Sequence, residues 1–125
     1  MIYLWVALGG AIGAAGRFFV TSLVTRTVGH GFPWGTISVN VVGSFAMGAI
    51  ISFMALKMNV SNEIRAFMTI GVLGGFTTFS AFSLDFAILV ERKEILSAFG
   101  YAAGSVGLSI LAVFAGLIFV RTVLS

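Results

Sequence analysis

The chain has 125 residues, of which 59% are hydrophobic and only 9% charged, with a mean hydropathy of +1.14 and a formal net charge of +3. This composition excludes a soluble globular domain and is typical of a protein that lies in a lipid bilayer. The chain has no cysteine, which excludes disulfides, thiol catalysis and thiolate metal sites, and its few basic residues form no patch for nucleic acid.

Four apolar runs are each long enough to cross the bilayer as a helix, which needs about 20 residues. They cover residues 2–23, 34–56, 66–90 and 95–120, and the connectors between them are short. The sequence therefore predicts a single all-α integral membrane domain over residues 1–125 with four transmembrane helices. Gly9 and Gly13 have the spacing that lets two helix backbones approach, so we expect a close helix contact at these residues.

The basic residues are divided evenly between the two ends of these spans. One side of the membrane carries Lys57, Arg65 and Arg121, and the other carries Arg26, Arg92 and Lys93. Three against three leaves the positive-inside rule without a preference, so we expect insertion in both orientations. Such a population can form an antiparallel, dual-topology homodimer with a two-fold axis in the membrane plane. The alternative is a topology fixed by the lipid or by the insertion machinery.

A polar segment interrupts the third run, where Gly74 and Gly75 precede hydroxyl residues that alternate with Phe79 and Phe82. A lipid-facing helix has no use for such a segment, so we expect the helix to break at Gly74-Gly75 and to face an ion pathway. A break there removes the intrahelical partners of carbonyls near Gly74 and Thr77. A bound Na⁺, shared with the same carbonyls of a second subunit, is one way to satisfy them.

Two other spans also carry polar side chains. Asn40 lies inside the second run, where an unpaired amide is costly, so it must face a partner helix or water. Tyr101, Ser105 and Ser109 recur at i, i+4 and i+8, which places their hydroxyls in one stripe along the fourth helix. Both observations have structural alternatives, because an amide can join two helices and a serine can bond the carbonyl of its own helix.

These residue types indicate an anion as the transported species. The edge of a phenyl ring is electropositive, and hydroxyl and amide groups donate hydrogen bonds without binding an anion too tightly to release it. Asp85 is the only carboxylate inside a run, and it is either a functional residue or the partner of a nearby hydroxyl or arginine. Arg17, in the first run, either anchors the helix at an interface or attracts anions to the pathway.

The whole chain resembles a known family. The segment from Gly74 to Ser83, Asn40 preceded by Gly35-Thr36, and Arg17 after a glycine-rich helix are similar to the Fluc (CrcB) family of fluoride channels. The resemblance implies an antiparallel homodimer in a prokaryotic inner membrane, with two fluoride pores and a central structural Na⁺. It implies passive, selective export of fluoride and hence fluoride resistance.

The resemblance also implies roles for individual residues. The implied pore residues are Asn40, Phe79, Phe82, Ser83, Asp85, Tyr101, Ser105 and Ser109. Arg17 would lie at the pore vestibule, and the backbone carbonyls of Gly74 and Thr77 would bind Na⁺. The chain departs from the family pattern at two positions, where Ala81 replaces a common hydroxyl residue and Asp85 replaces a glutamate.

Three other classes of protein fit the sequence less well than a fluoride channel does. A small proton-coupled multidrug exporter shares the size and the four spans, but it needs a membrane-embedded glutamate in its first helix, and the first run has no acid. A non-transporting accessory subunit would leave the hydroxyl and phenyl residues unexplained. An enzyme is not indicated, because no nucleophile, base and orienting group converge and no metal-ligand cluster is present.

Overall fold

The computed structural model describes residues 1–57 and 59–124, and the regular structure in these residues is helical. The elements are α1 (Ile2–Val28), α2 (Trp34–Lys57), α3 (Asn62–Ala66), a π-helical segment π1 (Phe67–Leu73), α4 (Gly74–Phe76), α5 (Ser80–Glu91) and α6 (Ile95–Leu124). Among the described residues, four stretches are long and apolar enough to cross a membrane, namely Ile2–Val28, Trp34–Leu56, Asn62–Glu91 and Ile95–Leu124. The prediction of an all-α protein with four spans is confirmed.

The helices extend beyond the predicted spans, because hydropathy marks the apolar thickness whereas helical hydrogen bonding continues to a cap. Helix α1 continues to Val28 and ends at Gly29, whose φ of 92° only glycine adopts readily and whose N–H donates to the Thr25 carbonyl at 2.8 Å. The third span starts at α3, where the Ser61 hydroxyl accepts the Ile64 N–H at 3.3 Å.

The third span is broken, as predicted, but the predicted position of the break was wrong. Gly74 and Gly75 are helical, and the chain leaves the helix at Thr77, whose φ of −86° and ψ of 157° are extended. The glycine pair serves packing instead of opening the helix. A Cβ atom on Gly75 would lie 2.7 Å from the Gly10 carbonyl oxygen of α1. The break therefore follows the glycines by two residues.

Helix α1 packs against the third span with the two backbones in contact. A Cβ atom on Gly9 would lie 2.9 Å from the Gly71 Cα atom. A Cβ atom on Gly13 would overlap the Val72 carbonyl oxygen and lie 2.8 Å from the Phe76 nitrogen. The close helix contact expected at Gly9 and Gly13 is confirmed, and it holds α1 beside the break.

Replacing Gly13 with alanine is expected to destabilise the protein by about 1–3 kcal/mol. The added methyl group would clash with backbone atoms, which cannot move aside as a flexible side chain can. The matched control is Gly10→Ala in the same helix, where a Cβ atom meets nothing within 4 Å. Thermal unfolding in detergent measures both variants. Equal losses of stability in the two variants would contradict this account of the packing.

Helices α2 and α6 form the most extensive helix pair. Their backbones meet at Gly48 and at Gly116. A Cβ atom added to Gly48 would overlap the Val113 carbonyl oxygen, and one added to Gly116 would overlap the Phe45 carbonyl oxygen. Short connectors reverse the chain direction between successive spans, so α2 runs parallel to α6 and α1 runs parallel to the third span. The polar residues of α2 and α6 consequently lie beside the break.

Candidate functional site

The break in the third span extends from Thr77 to Phe79 and is bonded by its own threonines. The Thr77 N–H and the Thr77 hydroxyl both donate to the Leu73 carbonyl at 3.0 Å, which closes α4. The Thr78 hydroxyl accepts the Ala81 N–H at 3.1 Å and so caps the start of α5. The hydroxyl residues that follow the glycines therefore build the two helix ends.

Asn40 of α2 joins the break through both ends of its amide. Its Oδ1 atom accepts the Thr78 N–H at 2.7 Å, and its Nδ2 atom donates to the Thr78 carbonyl at 3.0 Å. The side chain thus satisfies both backbone groups of Thr78, as a neighbouring strand would. This leaves one N–H of Nδ2 for another acceptor.

These bonds divert two N–H groups that an unbroken helix would use. In a continuous helix, the Thr78 N–H would donate to the Gly74 carbonyl and the Ala81 N–H to the Thr77 carbonyl. The structure sends both N–H groups to side-chain oxygens instead, those of Asn40 and Thr78. The carbonyls of Gly74 and Thr77 lose their helical partners, as the sequence predicted for a break in this region.

A groove of about 300 Å³ opens beside the break, between α2 and α6. It is lined by Asn40, Gly43, Ser44, Met47, Thr77, Thr78, Phe79, Phe82, Ser105, Val106, Ser109 and Val113. The rings of Phe79 and Phe82 lie 5.5 Å apart between centroids, with an interplanar angle of 46°. Neutral hydrogen-bond donors and phenyl rings therefore line one continuous groove.

The hydroxyl oxygens of Ser105 and Ser109 are buried in this groove, and neither has a hydrogen-bond partner among the described residues. A buried unsatisfied hydroxyl costs about 1–3 kcal/mol, and a serine in a helix can avoid that cost by bonding its own helix carbonyl. These two serines do not do so. Both serines line the groove, and their buried hydroxyl groups are left without a hydrogen-bond partner there.

Asp85 closes the end of the polar stripe on α6. The Thr36 hydroxyl donates to its Oδ2 atom at 2.7 Å, and the Tyr101 hydroxyl donates to the same atom at 3.1 Å. The Tyr101 ring is fully buried and lies 5.2 Å from the Phe82 ring. Asp85 also lines a second cavity of about 190 Å³, which reaches His30 near the end of the bundle. Asp85 therefore lies at the outer cavity and is bonded by two hydroxyl groups, which is one of the two alternatives that the sequence offered.

Arg17 of α1 contacts the other side of the break. Its Nε–H donates to the Gly75 carbonyl at 3.0 Å, and the side chain is half-buried. The side chain is therefore directed at the third span and does not extend along the lipid-facing surface as an interfacial anchor would.

Several predicted site residues are exposed on the single chain. Phe79 is 76% exposed, and Gly74 and Ser83 are exposed as well. The chain's own helices do not cover this surface, although Phe82, three residues from Phe79, is half-buried against the core. The groove beside the break is therefore open on the side where Phe79 lies.

Similarity to known proteins extends over most of the chain. A family model described as CrcB-like protein, Camphor Resistance (CrcB), matches residues 4–117. The chain belongs to the CrcB-like family. With its four spans, this CrcB-like chain is a multi-pass membrane protein.

Curated relatives match the CrcB-like chain over nearly its full length. A protein of Chelativorans sp. (strain BNC1) is 54% identical over 119 residues, which cover 95% of each chain. A protein of Rhizobium etli is 52% identical over 118 residues, 94% of each chain, and one of Caulobacter vibrioides is 48% identical over 121 residues, 96% of this chain and 95% of its own. Each of the three is named fluoride-specific ion channel FluC.

The sequence reading of the CrcB-like chain missed three residues of the site. Thr36 bonds Asp85, Ser44 lines the groove, and Thr78 holds Asn40. Thr36 and Ser44 lie four residues before and after Asn40, so α2 carries a polar stripe with the same i, i+4, i+8 spacing as α6. That spacing was a signal in the sequence that would have found both residues.

Proposed function

We propose that this chain is a fluoride-selective ion channel that exports cytoplasmic fluoride passively across a prokaryotic inner membrane and so confers fluoride resistance. The observation that carries the proposal is the pair of buried, unpartnered hydroxyls of Ser105 and Ser109 in the groove beside Asn40. Fluoride is a small, strongly hydrated anion and a strong hydrogen-bond acceptor. A row of neutral donors replaces part of its hydration shell without trapping it.

The aromatic residues add a second kind of contact. Phe79 and Phe82 line the same groove, and the edges of their rings carry the partial positive charge that would contact fluoride. Tyr101, Thr36 and Asp85 continue the polar path toward the outer cavity. The exposed Ser83 and Phe79 extend the proposed pore to the surface of the chain. Arg17 remains the residue proposed for the vestibule.

We further propose that two copies assemble antiparallel and form two pores. Support comes from the surface that a single chain leaves open beside the break, where Phe79 is 76% exposed. The even division of basic residues between the two membrane sides favours insertion in both orientations, which an antiparallel dimer requires. A second copy would cover the exposed phenylalanine and close the groove.

A structural Na⁺ at the centre of such a dimer fits the donor set. The Gly74 and Thr77 carbonyls have lost their helical N–H partners, and Gly74 is exposed on the single chain. Carbonyl oxygens are ligands suited to a hard cation, and two chains would together supply four of them. The ion would satisfy backbone groups that are otherwise costly in a bilayer.

Ion efflux from proteoliposomes tests the proposed function. Vesicles loaded with KF and containing the purified protein are expected to release fluoride rapidly after valinomycin is added, as read by a fluoride electrode. Matched vesicles loaded with KCl are expected to retain chloride. Replacing both Ser105 and Ser109 with alanine is expected to slow fluoride release by about tenfold or more, because two hydrogen bonds to the anion are lost.

The serine variant separates a pore from a packing surface. If the hydroxyls only pack, their removal relieves an unsatisfied group, so the variant would gain stability and lose no flux. The matched control is Ser97→Ala, on the same helix and away from the groove. Absence of fluoride release from reconstituted wild-type dimers would reject the channel and direct attention to proton-coupled export of organic cations.

A further inference from the structure

The break removes the helical hydrogen-bond donor of the Gly75 carbonyl, and neither the threonines nor Asn40 replaces it. In an unbroken helix the Gly75 carbonyl would accept the N–H of Phe79, but the chain turns extended at Thr77 before reaching that residue. An unsatisfied carbonyl within a bilayer costs several kcal/mol. The donor that the structure supplies is the Nε–H of Arg17, at 3.0 Å.

The packing of α1 against the third span places Arg17 beside this carbonyl. The backbones touch where a Cβ on Gly75 would lie 2.7 Å from the Gly10 oxygen, and again at Gly13. One turn later, a Cβ on Gly16 would lie 3.6 Å from the Phe76 ring. Arg17 follows directly, so its side chain starts beside the break, and the glycine contacts set the distance between the two helices.

The hydrogen bond to the carbonyl comes from Nε and not from the two terminal nitrogens of the guanidinium group. Nε is the fourth side-chain atom from Cα, so the bond depends on a donor at that position rather than on a positive charge near the carbonyl. An ion pair joins Arg92 to Glu94 and does not involve Arg17. The hydrogen bond and the charge of Arg17 are therefore separable by substitution.

We propose that Arg17 is a positioning residue, which braces the break in the third span through the bond from its Nε–H to the Gly75 carbonyl. Together with Asn40 on Thr78, it holds the break from two neighbouring helices. The brace keeps Phe79 and Thr78 at the groove. This role rests on the proposed channel function for its effect on flux, and on the fold alone for its effect on the backbone.

Three substitutions separate the bond from the charge. Arg17→Gln places an amide nitrogen at the position of Nε and removes the charge. Arg17→Lys keeps the charge but puts a methylene group at that position, and Arg17→Met removes both donor and charge. Hydrogen–deuterium exchange of the backbone amides of residues 76–80 in the reconstituted protein measures the brace, and fluoride efflux measures the consequence.

The brace predicts the same order in both measurements. Arg17→Gln is expected to keep wild-type protection of these amides, whereas Arg17→Lys and Arg17→Met are expected to exchange about tenfold faster or more, since the hydrogen bond to the Gly75 carbonyl is lost. Fluoride flux through Arg17→Gln is expected to exceed that through Arg17→Lys. The exposed Arg26→Lys on the same helix is the control for a general effect of the exchange of arginine for lysine.

The opposite order overturns the inference. If Arg17→Lys keeps protection and flux while Arg17→Gln loses both, the charge matters and the brace does not. Equal behaviour of all three variants, whether intact or impaired, also rejects a role for the Nε donor. A wild-type protein that conducts no fluoride would reject the proposed function, while the exchange measurements would still decide whether Arg17 braces the break.

Discussion

Replacing Asn40 with aspartate is expected to reduce fluoride efflux at least about a hundredfold and to destabilise the protein by about 3 kcal/mol. The two side chains have the same shape, but a carboxylate cannot donate to the Thr78 carbonyl, which Nδ2 contacts at 3.0 Å. Two oxygens would then face each other at the break, and a negative charge would line the groove that the anion occupies. Efflux assays and thermal unfolding in detergent measure the two effects.

The same chemical change elsewhere is the control. Asn59 lies exposed in the connector before α3, and Asn59→Asp is expected to leave both flux and stability near wild type. Asn40→Ala distinguishes the two contributions, because it removes the bonds to Thr78 without adding charge. Wild-type flux through Asn40→Asp would mean that neither the amide bonds nor the neutrality of the groove is needed.

Replacing Phe82 with isoleucine is expected to lower fluoride flux by about tenfold or more while the protein stays folded. The Phe82 ring lies between the rings of Phe79, at 5.5 Å, and Tyr101, at 5.2 Å, and it lines the groove. Isoleucine keeps an apolar side chain against the buried cluster but has no electropositive edge. The packing change costs about 1–2 kcal/mol, which thermal unfolding measures.

Two further substitutions make this result interpretable. Phe79→Ile removes the partner ring, which has little packing to lose within its own chain, so a loss of flux from variants that still form dimers reports on the pore rather than on stability. Phe114→Ile changes a phenylalanine that is 57% exposed on α6, away from the groove, and is expected to conduct normally. Normal flux through both Phe79→Ile and Phe82→Ile would remove the ring-edge contact from the proposal.

The position of the break shows why local sequence signals were insufficient. Paired glycines predicted an opening at Gly74-Gly75, because glycine permits it. The structure uses Gly75 for contact with the α1 backbone, and the helix opens at Thr77, where side chains of α2 and of the break itself accept the displaced N–H groups. A helix breaks where alternative partners exist, and those partners belong to other parts of the fold.

Arg17 illustrates the same distinction for a single side chain. The sequence offered an interfacial anchor or a residue that attracts anions, since both follow from a positive charge in an apolar run. Its bond to the Gly75 carbonyl depends on how closely α1 approaches α4. No spacing within the first run contains that information.

Sequence reasoning alone predicts the four spans, the presence of a break in the third and the hydroxyl stripe on α6. These features follow from composition and helical period, which are properties of single segments. Which polar groups meet depends on how the helices pack. Asn40 bonds a residue 38 positions away, Thr36 one 49 positions away and Arg17 one 58 positions away. Such pairs form because glycine contacts let the helix backbones approach, and the bilayer makes every backbone group left unpaired at the break costly.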